Sequence, residues 1–545
     1  MQRFFILFTF CLFFVTKISS QKTSFNSLFR PKLVVGIVID QMRYDYLYRY
    51  WDKYSEDGFK KLLREGYSFD NTHYNYVPTY TAPGHASIYT GTTPAVHGII
   101  GNDWFSRENA KNIYCVSDET VTVLNGSEAA GKMSPANLLT TTVGDEIRLE
   151  SNMNARVIGI ALKDRAAILP AGHTANAAYW FDAKTGNWIS SSYYFKKIPN
   201  YVTIFNAQNL PKKYMSQSWN TLLPMSQYTE STEDDTAYEG LFEGETKPVF
   251  PHNLSEIYKK SGAGAIATTP YGNTLTKDFA IATLEAERLG KGKFTDMLTV
   301  SFSAPDLVGH KFGPNSIETE DTYLRLDLEL ADFLKYLDKN IGKKNVLVFL
   351  TADHGVIQVP KFLSDRKIPT GKFRGKELMD SLSLFLAADF GDSLVSQYIN
   401  QQIYLNHNLI NQRKINVTNL ENKIINYLLT CDGVSNVVSA ISLQTQSFQN
   451  TVFQRVQNGF HPRRSGDIAI QLFPGWIDSD LKTSTTHGSS YTYDTHVPLL
   501  WYGWKIPSGS SEKAVEIIDI APTISNLLHI AFPNGATGNP LNFNK

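Results

Sequence analysis

Lys32-Leu-Val-Val-Gly-Ile-Val-Ile-Asp40 is the stretch that decides the fold. Its apolar, mostly β-branched run shows no alternation, so it predicts a strand covered on both faces, as at the centre of a parallel sheet. Arg156-Val-Ile-Gly-Ile-Ala-Leu162, Met297-Leu-Thr-Val-Ser-Phe-Ser303 and Asn345-Val-Leu-Val-Phe-Leu-Thr351 are further strand-length hydrophobic runs. Between the last two, Tyr323, Leu326, Leu330, Phe333 and Leu337 recur at three- and four-residue steps, which gives a helix one apolar face. Strand, helix, strand in that order is a βαβ unit and implies parallel neighbours. The fold class expected is α/β: a three-layer sandwich, with a mostly parallel central sheet, helices on both faces and inserted cap segments.

Residues suited to chemistry stand at the carboxyl ends of these runs. Asp40 closes the first, Lys163 and Arg165 come after the second, Asp306 after the third, and Asp353-His354 after the fourth. Ligands of parallel sheets bind outside the carboxyl ends of the strands. A single acid there is often a helix cap, but several with histidines beside them are hard to ascribe to capping. In Asp306-Leu-Val-Gly-His310 a carboxylate and an imidazole share one helix face. His487, in Thr485-Thr-His-Gly488, is a further candidate ligand. Carboxylates and imidazoles without thiolates suit a catalytic zinc site. Pro78-Thr-Tyr-Thr-Ala-Pro-Gly-His85 places Thr81 where a helix would begin, near free backbone N–H groups. Taken alone, Thr81 would be a plain N-cap, and Thr79 is a rival nucleophile. Asn102, in Gly101-Asn-Asp103, offers an amide to a phosphate oxygen, although the tripeptide alone would mark only a turn.

The 545 residues balance 52 Lys+Arg against 52 Asp+Glu, with 42% hydrophobic and 19% charged residues. That excludes a disordered or fibrous chain and gives no global signal for nucleic acid or an anionic membrane. No nucleic-acid partner is expected. Met1-Gln-Arg3, the apolar run from Phe4 to Val15 and Ser19-Ser20 read as a secretory signal peptide over residues 1–20, with an anchor helix as the weaker alternative. Periplasmic or secreted localisation without a membrane anchor follows from that reading. Residues 21–545 read as a single catalytic domain with insertions at about 178–274 and 360–474, both expected above the active edge of the sheet. Cys115 and Cys431 have no metal-type spacing, and whether they pair stays open.

Thr81-x-Pro-Gly-His85, Gly101-Asn-Asp103, Asp306-x-x-x-His310, Ala352-Asp-His-Gly355 and Asp519-Ile-Ala-Pro-Thr523 together resemble the alkaline phosphatase superfamily. The nearest resemblance is to the zinc-only bacterial alkaline phosphatases of the phosphate-irrepressible type, in the branch related to nucleotide pyrophosphatases/phosphodiesterases. It spans nearly the whole mature chain and implies an alkaline phosphatase-like fold with two Zn2+ per subunit. Asp306, His310 and His487 match the first zinc site. Asp40, Asp353 and His354 match the second, with Thr81 as nucleophile on that metal. Asn102 matches the amide that meets the phosphoryl oxygen, and Lys163 and Arg165 match a basic pair peculiar to this type. The implied activity is hydrolysis of small-molecule phosphate monoesters of broad scope through a phosphothreonine, by an enzyme expected to be a monomer. Two fixed cations favour the monoester dianion over a diester. Val356-Ile-Gln-Val359 and Gly488-Ser-Ser-Tyr491 depart from the family pattern and bear on substrate preference. The competing readings are a phosphodiesterase or nucleotide pyrophosphatase on the same scaffold, and an inactive zinc- or ligand-binding protein. A sulfatase would need Cys or Ser where Thr81 stands.

Overall fold

In the computed structural model, which describes residues 29–479, 483 and 485–543, the opening run is β1 (Leu33–Ile39), buried along its whole length. Branched side chains favour the extended chain, and covering both faces requires a layer on each side. β1 lies between two parallel partners. β3 (Asp296–Phe302) pairs from Leu33↔Asp296 to Ile39↔Phe302, and β4 (Val346–Thr351) from Leu33↔Val346 to Val38↔Thr351. β2 (Val157–Ala161) extends the sheet past β3, from Met297↔Val157 to Ser301↔Ala161. Among the described residues this sheet has ten strands, and Leu499–Gly503 joins β4 antiparallel. The expected α/β class, with its mostly parallel central sheet, is the observed one.

Matched registers mean that the four strands end nearly level. Asp40, Lys163, Ser303 and Asp353 therefore emerge at a common edge. Helices pack on the sheet and on one another. α2 (Asp164–Ala171) lies against β2 and against α1 (Thr81–Thr90), and α3 (Ala304–Phe312) lies against α4 (Ile317–Asn340). The five residues that predicted the apolar face of α4 are all buried. Ser316 caps that helix by accepting from Thr319 N.

The first insertion needs a corrected boundary. Ala177–Asp182 pairs parallel with β2, and Asn187–Ser191 pairs antiparallel with Ala177–Asp182, so residues 177–191 belong to the main sheet. Ala-Ala-Tyr-Trp-Phe-Asp is buried throughout, and only its aromatic, polar-flanked composition hid it from a search for aliphatic runs. Within the second insertion, Val395–Ile399, Gln402–Leu405, Ile468–Leu472 and Val434–Ser439 form a separate four-stranded sheet over its own apolar core. Pro31–Lys545 is one unit by itself, and Met1–Arg30 is another. The leader assigned to residues 1–20 lies outside the described residues. Cys115 and Cys431 are both free thiols.

Gly36, in mid-β1, marks a close approach. A Cβ there would stand 2.4 Å from the Tyr89 hydroxyl of α1 and 2.7 Å from a ring carbon of Phe349. Gly36→Ala is expected to destabilise the protein by about 1–3 kcal/mol, read as a lower urea midpoint with unchanged slope.

Candidate active site

Thr81 is the first residue of α1, with Tyr80 as N-cap. Its side chain is buried and makes no hydrogen bond among the described residues. Thr79, the rival, donates its hydroxyl to the Ser489 carbonyl at 3.0 Å. Asn102 Oδ1 accepts from Ala82 N at 3.0 Å, which fixes the amide plane and turns its NH2 end to another partner. Gly84 lets α1 press against the next loop, where a Cβ would meet the Asp353 carbonyl oxygen at 2.4 Å. His85 bonds the Thr81 carbonyl through Nδ1 and the Ser301 hydroxyl through Nε2, both at 2.9 Å. Burial holds it neutral, with its pKa down at about 3.

The acids and imidazoles singled out in the sequence converge at the carboxyl edge of the sheet. Asp306, His310 and His487 form one group, and Asp40, Asp306 and His354 form another, with ligand atoms within 4.8 Å of one another in each. Asp306 thus stands between the two clusters. Its Oδ1 is 3.1 Å from His310 Nε2 and 3.7 Å from His487 Nε2. His354 Nε2 is 3.5 Å from Asp40 Oδ1 and 3.6 Å from Asp353 Oδ2. The His354 and His487 rings stack with centroids 3.4 Å apart.

Each of these imidazoles is oriented the same way. Nδ1 meets a backbone carbonyl: Thr485 for His310 at 2.8 Å, Gly355 for His354 at 2.9 Å and Thr79 for His487 at 2.7 Å. A carbonyl only accepts, so Nδ1 carries the proton, which leaves Nε2 of the neutral His354 and His487 with a bare lone pair, as a metal ligand requires, while His310 Nε2 faces Asp306 Oδ1. Asp40 Oδ1, Asp353 Oδ2 and His354 Nε2 are buried with no hydrogen-bond partner among the described residues. Orphaned polar atoms of this kind are costly, and here they point into one space. Carboxylate oxygens and imidazole nitrogens without sulfur fit zinc.

The electrostatics agree. Burial and the neighbouring Asp306 push Asp40 up to about 6, against the pull of Lys163. Burial and Asp40 raise Asp353 well above the usual carboxylate range. Burial opposes ionisation of Asp306 too, but His310 and Lys163 outweigh it and hold it low. Burial drives His354 down to about 3, and with His354 and His310 as neighbours it also drives His487 low. The Asp306 carboxylate outweighs burial at His310 and raises its pKa, whereas Asp40, Asp353, His354 and His487 all resist taking up charge, a mismatch that a metal dication satisfies.

Of the basic pair, Lys163 Nζ bridges Asp40 at 2.6 Å and Asp306 at 2.5 Å. Arg165 sits in the first turn of α2 and gives Nη1 to the Tyr114 hydroxyl at 3.1 Å. Gln41 was passed over in the sequence, although it comes directly after Asp40. Its Nε2 donates to Asp306 Oδ1 at 2.6 Å and its backbone N to Asp353 Oδ1 at 3.1 Å. It takes up a left-handed φ of 68° to do so, a conformation that no hydrophobic pattern announces.

Two adjoining carboxylate–imidazole clusters suited to metal ions, at the carboxyl edge of a mostly parallel sheet, define the class as a hydrolase of the metal-dependent kind. The chain belongs to the type I phosphodiesterase / nucleotide pyrophosphatase family, whose model matches residues 34–494. It is 46% identical over 527 residues to alkaline phosphatase PafA of Elizabethkingia meningoseptica, covering 96% of each chain. The crystal structure of wild-type PafA superposes with a TM-score of 0.92 over 95% of this chain and 99% of that one. A Myroides odoratus protein named as a calcium-transporting ATPase is also 46% identical, over 97% of each chain. Among the described residues no helix is long and apolar enough to cross a membrane.

Zinc added to metal-stripped protein is expected to raise Tm, by about 2.7 kcal/mol of added stability at a hundredfold excess over Kd. His354→Ala should lower zinc content by mass spectrometry and shrink that shift.

Proposed function

We propose that the chain is an exported alkaline phosphatase that hydrolyses phosphate monoesters of broad scope through a phosphothreonine on Thr81. The observation that carries this reading is the unbonded Thr81 hydroxyl at the start of a helix that packs on the helix of Arg165 and is tied at Ala82 to Asn102, in a molecule that also gathers two candidate metal-ligand clusters. The likeness to PafA over nearly the whole chain supports it. Two zinc ions, one held by Asp306, His310 and His487 and the other by Asp40, Asp353 and His354, would supply charge neutralisation to the phosphoryl group and activation to threonine and water.

The chain's own residues do the rest. Thr81 Oγ attacks phosphorus in line and expels the ester alcohol, and its place at the start of α1 sets the incoming negative charge at the positive end of the helix. Asn102, locked by Ala82 N, offers its NH2 group to a phosphoryl oxygen. Lys163 and Arg165 bring two positive charges, which suit a dianionic monoester better than a monoanionic diester. Water then releases phosphate from Thr81, and two inversions leave the configuration at phosphorus retained. A phosphodiesterase is the second reading, favoured by the description of the matched family and opposed by this basic pair.

The test is kcat/KM for an aryl phosphate monoester and a matched diester. The wild type should strongly prefer the monoester, and Thr81→Ala should abolish turnover. Arg165→Ala should cost about 10²-fold on the monoester and far less on the diester. Equal activity of the wild type on both esters would instead assign a phosphodiesterase.

A further inference from the structure

Arg165 is held in an unusual way for a partly buried guanidinium. Among the described residues it makes no ion pair, and its Nε is buried without a hydrogen-bond partner. Its neighbour Asp164 is the obvious counter-ion, yet Asp164 Oδ1 takes the Arg165 backbone N–H at 2.6 Å and the Tyr114 hydroxyl at 2.5 Å. The Tyr114 oxygen in turn accepts from Arg165 Nη1 at 3.1 Å. A neutral hydroxyl is thus interposed between carboxylate and guanidinium. One proton fixes the direction of the chain: Tyr114 O–H donates to Asp164, and its lone pair receives Arg165. Burial raises the Tyr114 pKa well above its ordinary value, so the hydroxyl keeps that proton throughout the alkaline range.

The consequence is a division of labour. A carboxylate touching Arg165 directly would orient it but would also neutralise it and compete with a phosphoryl oxygen. A phenol orients the planar fork and leaves its charge unspent. Lys163, by contrast, is ion-paired to Asp40 and Asp306. Tyr114 also belongs to the element that carries Asn102. Asp103–Ser106 and Lys111–Tyr114 form an antiparallel hairpin in which Asp103 faces Tyr114, and Cys115 N closes its base on the Asn102 carbonyl at 2.9 Å. The amide and the guanidinium are therefore spaced by one short ladder.

We propose that Tyr114 is a positioning residue that orients the Arg165 guanidinium toward the transferred phosphoryl group, and so sets monoester selectivity without touching substrate. This rests on Arg165 being a group that binds the phosphoryl oxygens, and the experiment separates the two assignments. Tyr114→Phe, Arg165→Ala and the double variant are compared with wild type on an aryl monoester and the matched diester, and inorganic phosphate is measured as a competitive inhibitor. Tyr114→Phe should lower monoester kcat/KM roughly 10-fold, leave the diester within about threefold, and weaken phosphate inhibition by a similar factor. In the Arg165→Ala background the same substitution should have no further effect on either quantity. An equal loss on both esters, or a loss undiminished when Arg165 is absent, would show Tyr114 acting on the fold at large and overturn the proposal. A silent Tyr114→Phe beside a damaging Arg165→Ala would overturn it while sparing the Arg165 assignment. Monoester preference surviving Arg165→Ala would bring down that assignment, and this proposal with it.

Discussion

Three buried carboxylates at the ends of three adjacent parallel strands are the constraint on which this molecule turns. Asp40 and Asp353 come immediately after β1 and β4, and Asp306 lies one helical turn beyond β3, so the register that pairs the strands also crowds the acids. Like charges in a low dielectric repel strongly, which is why burial raises two of them and only cations hold the third ionised. A sheet with this edge needs positive charge there, and the chain surrounds it with the means to place some: Lys163 between two of the acids, His310 against Asp306, and His354 and His487 with bare outward nitrogens.

The supports behind these groups are mostly backbone. Carbonyls of Thr79, Thr485 and Gly355 set the imidazole tautomers. The Thr79 carbonyl ties His487, from late in the chain, to the loop that leads into Thr81. Gly84 lets α1 rest against the Asp353 backbone. The helix that opens on Thr81 and the loops that carry the candidate ligands are therefore held to one another through main-chain carbonyls, and the site gains rigidity from it.

Much of this was legible in the sequence because it depends on patterns that sequence carries. Hydrophobic runs of strand length marked β1, β2, β3 and β4, and the charged residues after them marked the edge. Ala177–Asp182 was missed because its aromatic residues do not look like an aliphatic core strand, although they are equally buried. Gln41 escaped because its role comes from a left-handed turn, and Tyr114 because it reaches Arg165 from a hairpin distant in the chain. That the Thr79 hydroxyl is engaged while that of Thr81 is not also lay beyond the pattern, since the difference rests on a hydrogen bond to Ser489. Contacts between segments far apart in sequence leave no periodic trace.

One contact made by the second insertion reaches further than its size suggests. Asn400 and Gln401, both with positive φ, form the tight turn between Val395–Ile399 and Gln402–Leu405, and Asn400 Nδ2 donates to the Asp103 carbonyl at 2.7 Å. Asp103 is the residue after Asn102, at the base of the hairpin that holds Arg165. The insertion thus braces the hairpin to which the proposed selectivity groups are tied, while the candidate metal ligands sit on other segments: the ends of β1 and β4, the helix after β3 and the loop at His487. Such an arrangement lets descent alter preference by editing an accessory segment, while the reactive centre is inherited unchanged.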